Sequence, residues 1–196
     1  MAAAPRAAAT RQPDRRRAMY DKVSWPDEFH PRISAIYGLN DIDIDAPPEI
    51  VWKLLVDAEN WHTYFPPENQ IKITTGTPEL ELGSEYSRFT VGFTMRCVVT
   101  EFEPFRRLAW RTSVDGDETR STAYHGWVIT PTSTGSHVLT EETQQGEFFL
   151  EEIGRKRPGA VYDYHQDWIE RLARAAEAEA ARQATSTGSQ LERLPR

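Results

Sequence analysis

From Leu39 to Asp45 the chain reads LNDIDID, an alternation of apolar and polar residues with the period of two that a half-buried strand requires. The pattern then changes. Ala46-Pro47-Pro48-Glu49 opens a helix, because proline is tolerated in a first helical turn and Glu49 suits the positive end of the helix dipole. Ile50, Val51, Leu54 and Leu55 supply its apolar face. Asp57, a good N-cap residue, predicts a second short helix carrying Trp61, Tyr64 and Phe65, stopped by Pro66-Pro67. Six segments rich in β-branched and aromatic residues follow, at 71–75, 85–93, 94–103, 107–114, 122–130 and 137–145. Short turns join them, at Asp115-Gly116-Asp117 and from Pro131 to Gly135, so an antiparallel meander is expected. The last element is a helix over 160–184, whose stripe of Val161, His165, Trp168, Leu172 and Ala176 recurs every three or four residues.

The flanks read differently. Residues 1–22 are Ala, Arg, Pro and Gln with few large apolar groups, and a disordered basic tail is expected there. Residues 23–37 hold Val23, Trp25, Phe29, Ile33, Ile36 and Tyr37 broken by prolines, which suggests an irregular arm packed on the domain. The domain itself spans 38–184, and 185–196 is expected to be a flexible tail.

Composition narrows the class. A hydrophobic fraction of 39% in 196 residues fits one globular domain, and no apolar run approaches the ~20 residues of a membrane span. The net charge of −7 argues against nucleic acid as a partner. The positive charge gathers at the start, in Arg6, Arg11, Arg15, Arg16, Arg17 and Lys22. No secretory apolar core is visible, so the expected location is the cytoplasm, with organelle targeting the alternative for an Arg-rich start. Cys97 stands alone, which excludes an internal disulfide and reads as a small buried hydrophobe. There is no His-x-His, no HExxH and no Cys pair, so no metal and no cofactor are expected.

Four stretches resemble one family. DIDIDAPPEIVWKLLVDAENW (41–61) is similar to its first strand and helix start. VVTEFEPFRRLAWR (98–111) resembles a strand corner, HGWVITPTSTGSHVLTEET (125–143) a Trp-bearing hairpin, and HQDWIERLARAAE (165–177) the closing helix. The family is the START-like or SRPBCC superfamily, and the likeness is nearest its polyketide cyclase/dehydrase branch. The resemblance implies an α+β helix-grip fold, a curved antiparallel sheet of about seven strands around the C-terminal helix. It also implies an internal pocket for a hydrophobic small molecule. Members include cyclases, lipid carriers and receptors, so fold alone does not select the chemistry.

Strand alternation then nominates residues. Ala123, His125, Trp127 and Ile129 share one face, taken as inward because it is bulky. On the next strand apolar content does not decide, and the resemblance favours the face of Val138, Thr140, Glu142 and Gln144. His125, Glu142 and His165 are therefore the leading catalytic set, with an imidazole as general base and Glu142 orienting it. Such a base suits aldol cyclisation or dehydration of a polycarbonyl substrate. The plain alternative is a buried polar network that satisfies only itself. Arg88 and Arg96 are candidates to hold a carboxylate or enolate oxygen, against the solvated outer face as the ordinary place for a strand arginine. Tyr86, Trp110, Trp127, Trp168, Trp61 and Phe65 are candidates to line the pocket, against simple core packing. Three functions are weighed: a cofactor-independent cyclase or dehydratase; a non-catalytic carrier or sensor of a lipid, isoprenoid or aromatic ligand; and a partner-binding module using the arm. Oligomeric state is left open.

Overall fold

The computed structural model describes residues 20–191, apart from 67–69, 91 and 116–119, with backbone only for 187–191. Most of the expected basic tail, the residues after 191 and most of the Asp115–Asp117 turn therefore lie outside the described residues. The alternating segment is strand β1 (Ile36–Ile44), followed by helix α1 (Pro48–Val56) and a 3₁₀ segment (Ala58–Thr63). Asp57 precedes that segment without capping it; its carboxylate instead accepts from the Asn60 side-chain amide at 2.9 Å. Then come β2 (Ile71–Ile73), β3 (Glu85–Thr90), β4 (Phe93–Glu103), β5 (Arg107–Val114), β6 (Thr122–Pro131) and β7 (Ser136–Gln145). The seven strands form one antiparallel sheet in the order β1-β7-β6-β5-β4-β3-β2. This is a meander from β2 to β7, with β1 paired onto the far edge, as the helix-grip expectation requires.

Between β7 and the last helix lies an element absent from the sequence reading, which assigned nothing to 146–159. Gly146, with φ 96°, turns the chain into α2 (Glu147–Phe149). A wide helical turn follows over Leu150–Arg155, where the Lys156 amide donates to the Glu151 carbonyl five residues back. A side chain at 146 would meet the Arg120 carbonyl at 2.0 Å, so only glycine fits this corner.

Helix α3 (Ala160–Leu191) closes the structure and runs seven residues past the expected end at 184. Its stripe lies against the sheet, with Val161, His165, Trp168, Leu172 and Ala176 all buried. Indoles fill the middle of that interface. The Trp168 ring lies 4.9 Å from Trp61 and 5.3 Å from Trp127, and stacks on Phe65 at 5.1 Å. Trp61 also packs on Trp110 at 5.7 Å. Each of these rings is at most 1% exposed.

The outer face of β6 and β7 is covered as well. Val23, Trp25 and Phe29 of the arm pack on Ala109, Tyr124, Val128 and Leu139. Gly126 permits this, since an added Cβ would stand 2.7 Å from the Val23 methyls. The arm is also pinned by polar contacts: the Val23 amide and the Tyr37 hydroxyl donate to the buried Glu141 carboxylate, at 3.1 and 2.5 Å.

Among the described residues Trp168 meets more aromatic rings than any other side chain. Trp168→Ala is expected to cost about 3–5 kcal/mol by leaving a cavity between α3 and the sheet. Equilibrium urea unfolding measures it, and a loss below about 1 kcal/mol would show that the helix is not held by this ring.

Candidate functional site

Strands β6 and β7 place His125 opposite Glu142 as register partners, with both side chains on the inner face. Helix α3 brings His165 down onto the same point. The result is a carboxylate between two imidazoles: Glu142 Oε2 lies 3.2 Å from His125 Nδ1 and 3.3 Å from His165 Nε2. The Gln144 side-chain amide donates to Glu142 Oε1 at 2.5 Å. The two rings lie 4.4 Å apart, and His125 is wholly buried.

Thr140 orders this network. Its hydroxyl donates to the Gly126 carbonyl at 3.2 Å, which leaves its oxygen to accept from His125 Nε2–H at 2.7 Å. The hydrogen-bond pattern thus assigns the His125 proton to Nε2. Burial, assisted by the charges of His165 and Arg88, holds the His125 pKa well below its usual value, so the ring is neutral. Burial acts on Glu142 in the opposite sense. It is outweighed by the hydrogen bond and charge of His165, with smaller contributions from His125 and the Gln144 amide, and the Glu142 pKa falls to about 2.

Beside the cluster is a cavity of about 120 Å³. Its polar wall is Arg88, Glu142, Gln144 and His165. Its apolar wall is Met95 and Ala123 from the sheet, Phe149 and Ile153 from the unforeseen turn, and Ala160 and Val161 from α3. Thr90, Thr112 and Tyr164 complete it, with the Thr90 hydroxyl 3.3 Å from the Tyr164 hydroxyl. Arg88 is buried, with its guanidinium 5.4 Å from the centre of the Trp168 ring.

The expected site residues divide on this geometry. His125, Glu142 and His165 converge, and Arg88 reaches the same cavity. Arg96 does not: it points outward and bonds Asp115 at 2.8 Å, because it sits one residue out of phase with the buried Met95 and Cys97. Tyr86, Trp110, Trp127, Trp168, Trp61 and Phe65 are core rather than cavity wall, since the rings pack on one another and the cavity lies beyond them, toward the start of α3. Cys97 is buried, with its sulfur 3.4 Å from the Thr112 hydroxyl. The reading missed Gln144 as a site residue, although it shares Glu142's strand face, and Tyr164, which is next to His165. Phe149 and Ile153 carried no usable signal.

A family model described as polyketide cyclase / dehydrase and lipid transport matches residues 40–184. The chain belongs to this family. In sequence, no curated protein matches it. Among solved structures, a hypothetical protein from Helicobacter pylori is similar with a TM-score of 0.70 and 23% identity, over 80% of this chain and 97% of that one. A protein from Chromobacterium violaceum matches with a TM-score of 0.56 and 17% identity, over 72% and 96%. A protein of the dynemicin biosynthetic locus matches with a TM-score of 0.51 and 19% identity, over 74% of this chain and 48% of that one. At these identities the structural matches show the fold, which the family membership shares. Among the described residues no helix is long and apolar enough to cross a membrane.

The cluster makes stability depend on pH. Both pKa values are depressed in the folded state, so unfolding takes up protons as the pH falls. The His125 contribution is lost below about pH 6.5, and that of Glu142, on the order of 3 kcal/mol, as the pH falls from about 4.5 toward 2. Urea unfolding from pH 7 to 3 should therefore show a steeper loss for the natural chain than for Glu142→Gln. Parallel curves would mean that the carboxylate does not stabilise the fold.

Proposed function

We propose that the cavity binds a small ligand with an apolar body about one aromatic ring in size and a carbonyl or carboxylate head beside Arg88. Glu142 and His165 move a proton at the carbon next to that carbonyl, the step common to aldol cyclisation and dehydration. The observation that carries this reading is the convergence of Arg88, Glu142 and His165 on an otherwise apolar cavity. Size supports a small ligand rather than a long lipid: at about 120 Å³ the space is a little under the ~150 Å³ of a cavity known to hold benzene.

The roles follow from the contacts. His165 Nε2–H donates to Glu142, which fixes the tautomer and leaves the Nδ1 lone pair as the base. Nδ1 has no hydrogen-bond partner among the described residues. The Arg88 guanidinium stabilises the enolate oxygen as charge develops. His125 stands one layer behind the cavity and takes no part in the proton transfer. A second reading, a non-catalytic carrier or sensor of an aromatic or isoprenoid ligand, is favoured by the apolar wall from Met95 to Val161.

Exchange of the α-hydrogens of an aryl β-keto ester in D₂O, followed by proton NMR with a chelator present, separates these readings. The chain is expected to accelerate exchange, and Glu142→Gln or His165→Asn to reduce that acceleration by about 10²–10⁴-fold. Saturable binding without acceleration would establish the carrier and sink the enzyme. Neither binding nor exchange, with no small molecule retained on native mass spectrometry of the purified chain, would sink both.

A further inference from the structure

We infer that His125, Glu142 and His165 together form a binding site for a divalent transition-metal ion of the zinc type, with its open coordination position toward the cavity. The geometry carries this. One donor atom from each of the three residues lies within 4.8 Å of the other two. Glu142 Oε2 is 3.2 Å from His125 Nδ1 and 3.3 Å from His165 Nε2. An ion bonded at about 2.1 Å to two donors holds them about 3.0–3.4 Å apart, for angles between square and tetrahedral. The two separations that involve Glu142 fall in that interval.

The second observation is the direction of His125. Its Nε2–H is committed to Thr140, whose own proton goes to the Gly126 carbonyl. Nδ1 therefore presents a lone pair, in a ring that is wholly buried, toward a carboxylate oxygen that is also an acceptor. Nδ1 has no hydrogen-bond partner among the described residues. Two acceptors facing each other repel, and a shared cation relieves the repulsion. The bond from the remote ring nitrogen to an ordered oxygen is also the support that ligating histidines use to fix tautomer and orientation.

Two imidazoles and one carboxylate suit zinc, cobalt or iron better than magnesium or calcium, which prefer oxygen donors. Glu142 and His165 line the cavity, so further coordination positions open there, as in sites that act on a ligand rather than only hold a fold. Arg88 opposes the ion, since its guanidinium lines the same cavity. The inference goes beyond the proposed reaction and excludes it while the ion is bound. The ion takes the Glu142 and His165 atoms that would move the proton, and polarises a ligand carbonyl in their place.

Calorimetric titration of the chelator-treated full chain with zinc chloride, without substrate, is the test. The absorption of the cobalt(II) form gives a second readout. One ion per chain is expected. Affinity should fall at least tenfold in His125→Asn, Glu142→Gln and His165→Asn, and stay unchanged in His137→Asn, which alters an imidazole on the outer face of β7, bonded to Asp43. Arg88→Met should tighten binding severalfold by removing the opposing charge, and it decides the matter if the His125 variant does not fold. No binding of one ion, loss on His137→Asn, natural affinity in a folded His125→Asn, or no gain in Arg88→Met would overturn the site. The exchange assay contains chelator and the titration contains no substrate, so either reading can fail alone.

Discussion

A carboxylate buried between a sheet and a helix must be compensated, and Glu142 sets the terms for everything around it. Left alone, such a charge costs several kcal/mol. Here two partners compensate it, Gln144 from its own strand and His165 from α3. The last of these ties the helix to the sheet by a polar contact with direction, where the surrounding indole packing has none. The same group therefore helps fix where α3 lies and gathers the chemistry. Removing one partner would leave the others buried and unsatisfied, so the cluster behaves as a unit.

The indoles decide where that chemistry can act. A curved sheet around one helix encloses space along its whole length, yet Trp61, Trp110, Trp127 and Trp168 consume the middle of it. What remains lies at the start of α3, bounded by the turn that bears Phe149 and Ile153. Arg88, Glu142 and His165 reach the void because they stand at its edge. His125 does not, because Trp110 and Trp168 pack on its ring at 4.7 and 5.8 Å.

The sequence made the elements, their order and the inward face of β6 legible, because periods of two and 3.6 are strong signals in segments of eight residues or more. The face of β7 was not legible from apolar content. The reason is physical: β7 is covered on both sides. Leu139, Glu141 and Thr143 point outward yet are buried, beneath the arm that brings Val23 and Phe29 over them. Alternation separates inside from outside only when one side meets water. Arg88 and Arg96 looked equivalent on paper, since each alternates with apolar neighbours, and only the β3–β4 register shows which one faces α3. The turn over 147–155 left no trace because five-residue spacing has no familiar apolar period. The inferred ion site has no local motif for a related reason. Its three members come from two strands and a helix, and local spacing motifs see only ligands on one element.

Cavity size constrains the ligand further. Three sides of the void are fixed: the sheet by its ladder, α3 by the indoles, and the polar wall by the Glu142 network. The fourth is the short α2 and its wide turn, which rests on Phe149 and Ile153 in a satellite cluster apart from the main core. A short, widely wound turn with few buried side chains is the wall that costs least to displace. A substrate larger than one ring would therefore extend toward Phe149 and Ile153, keeping its reacting carbonyl beside Arg88. Growth in the opposite direction meets Trp168, whose displacement would disturb the contacts that hold α3 on the sheet.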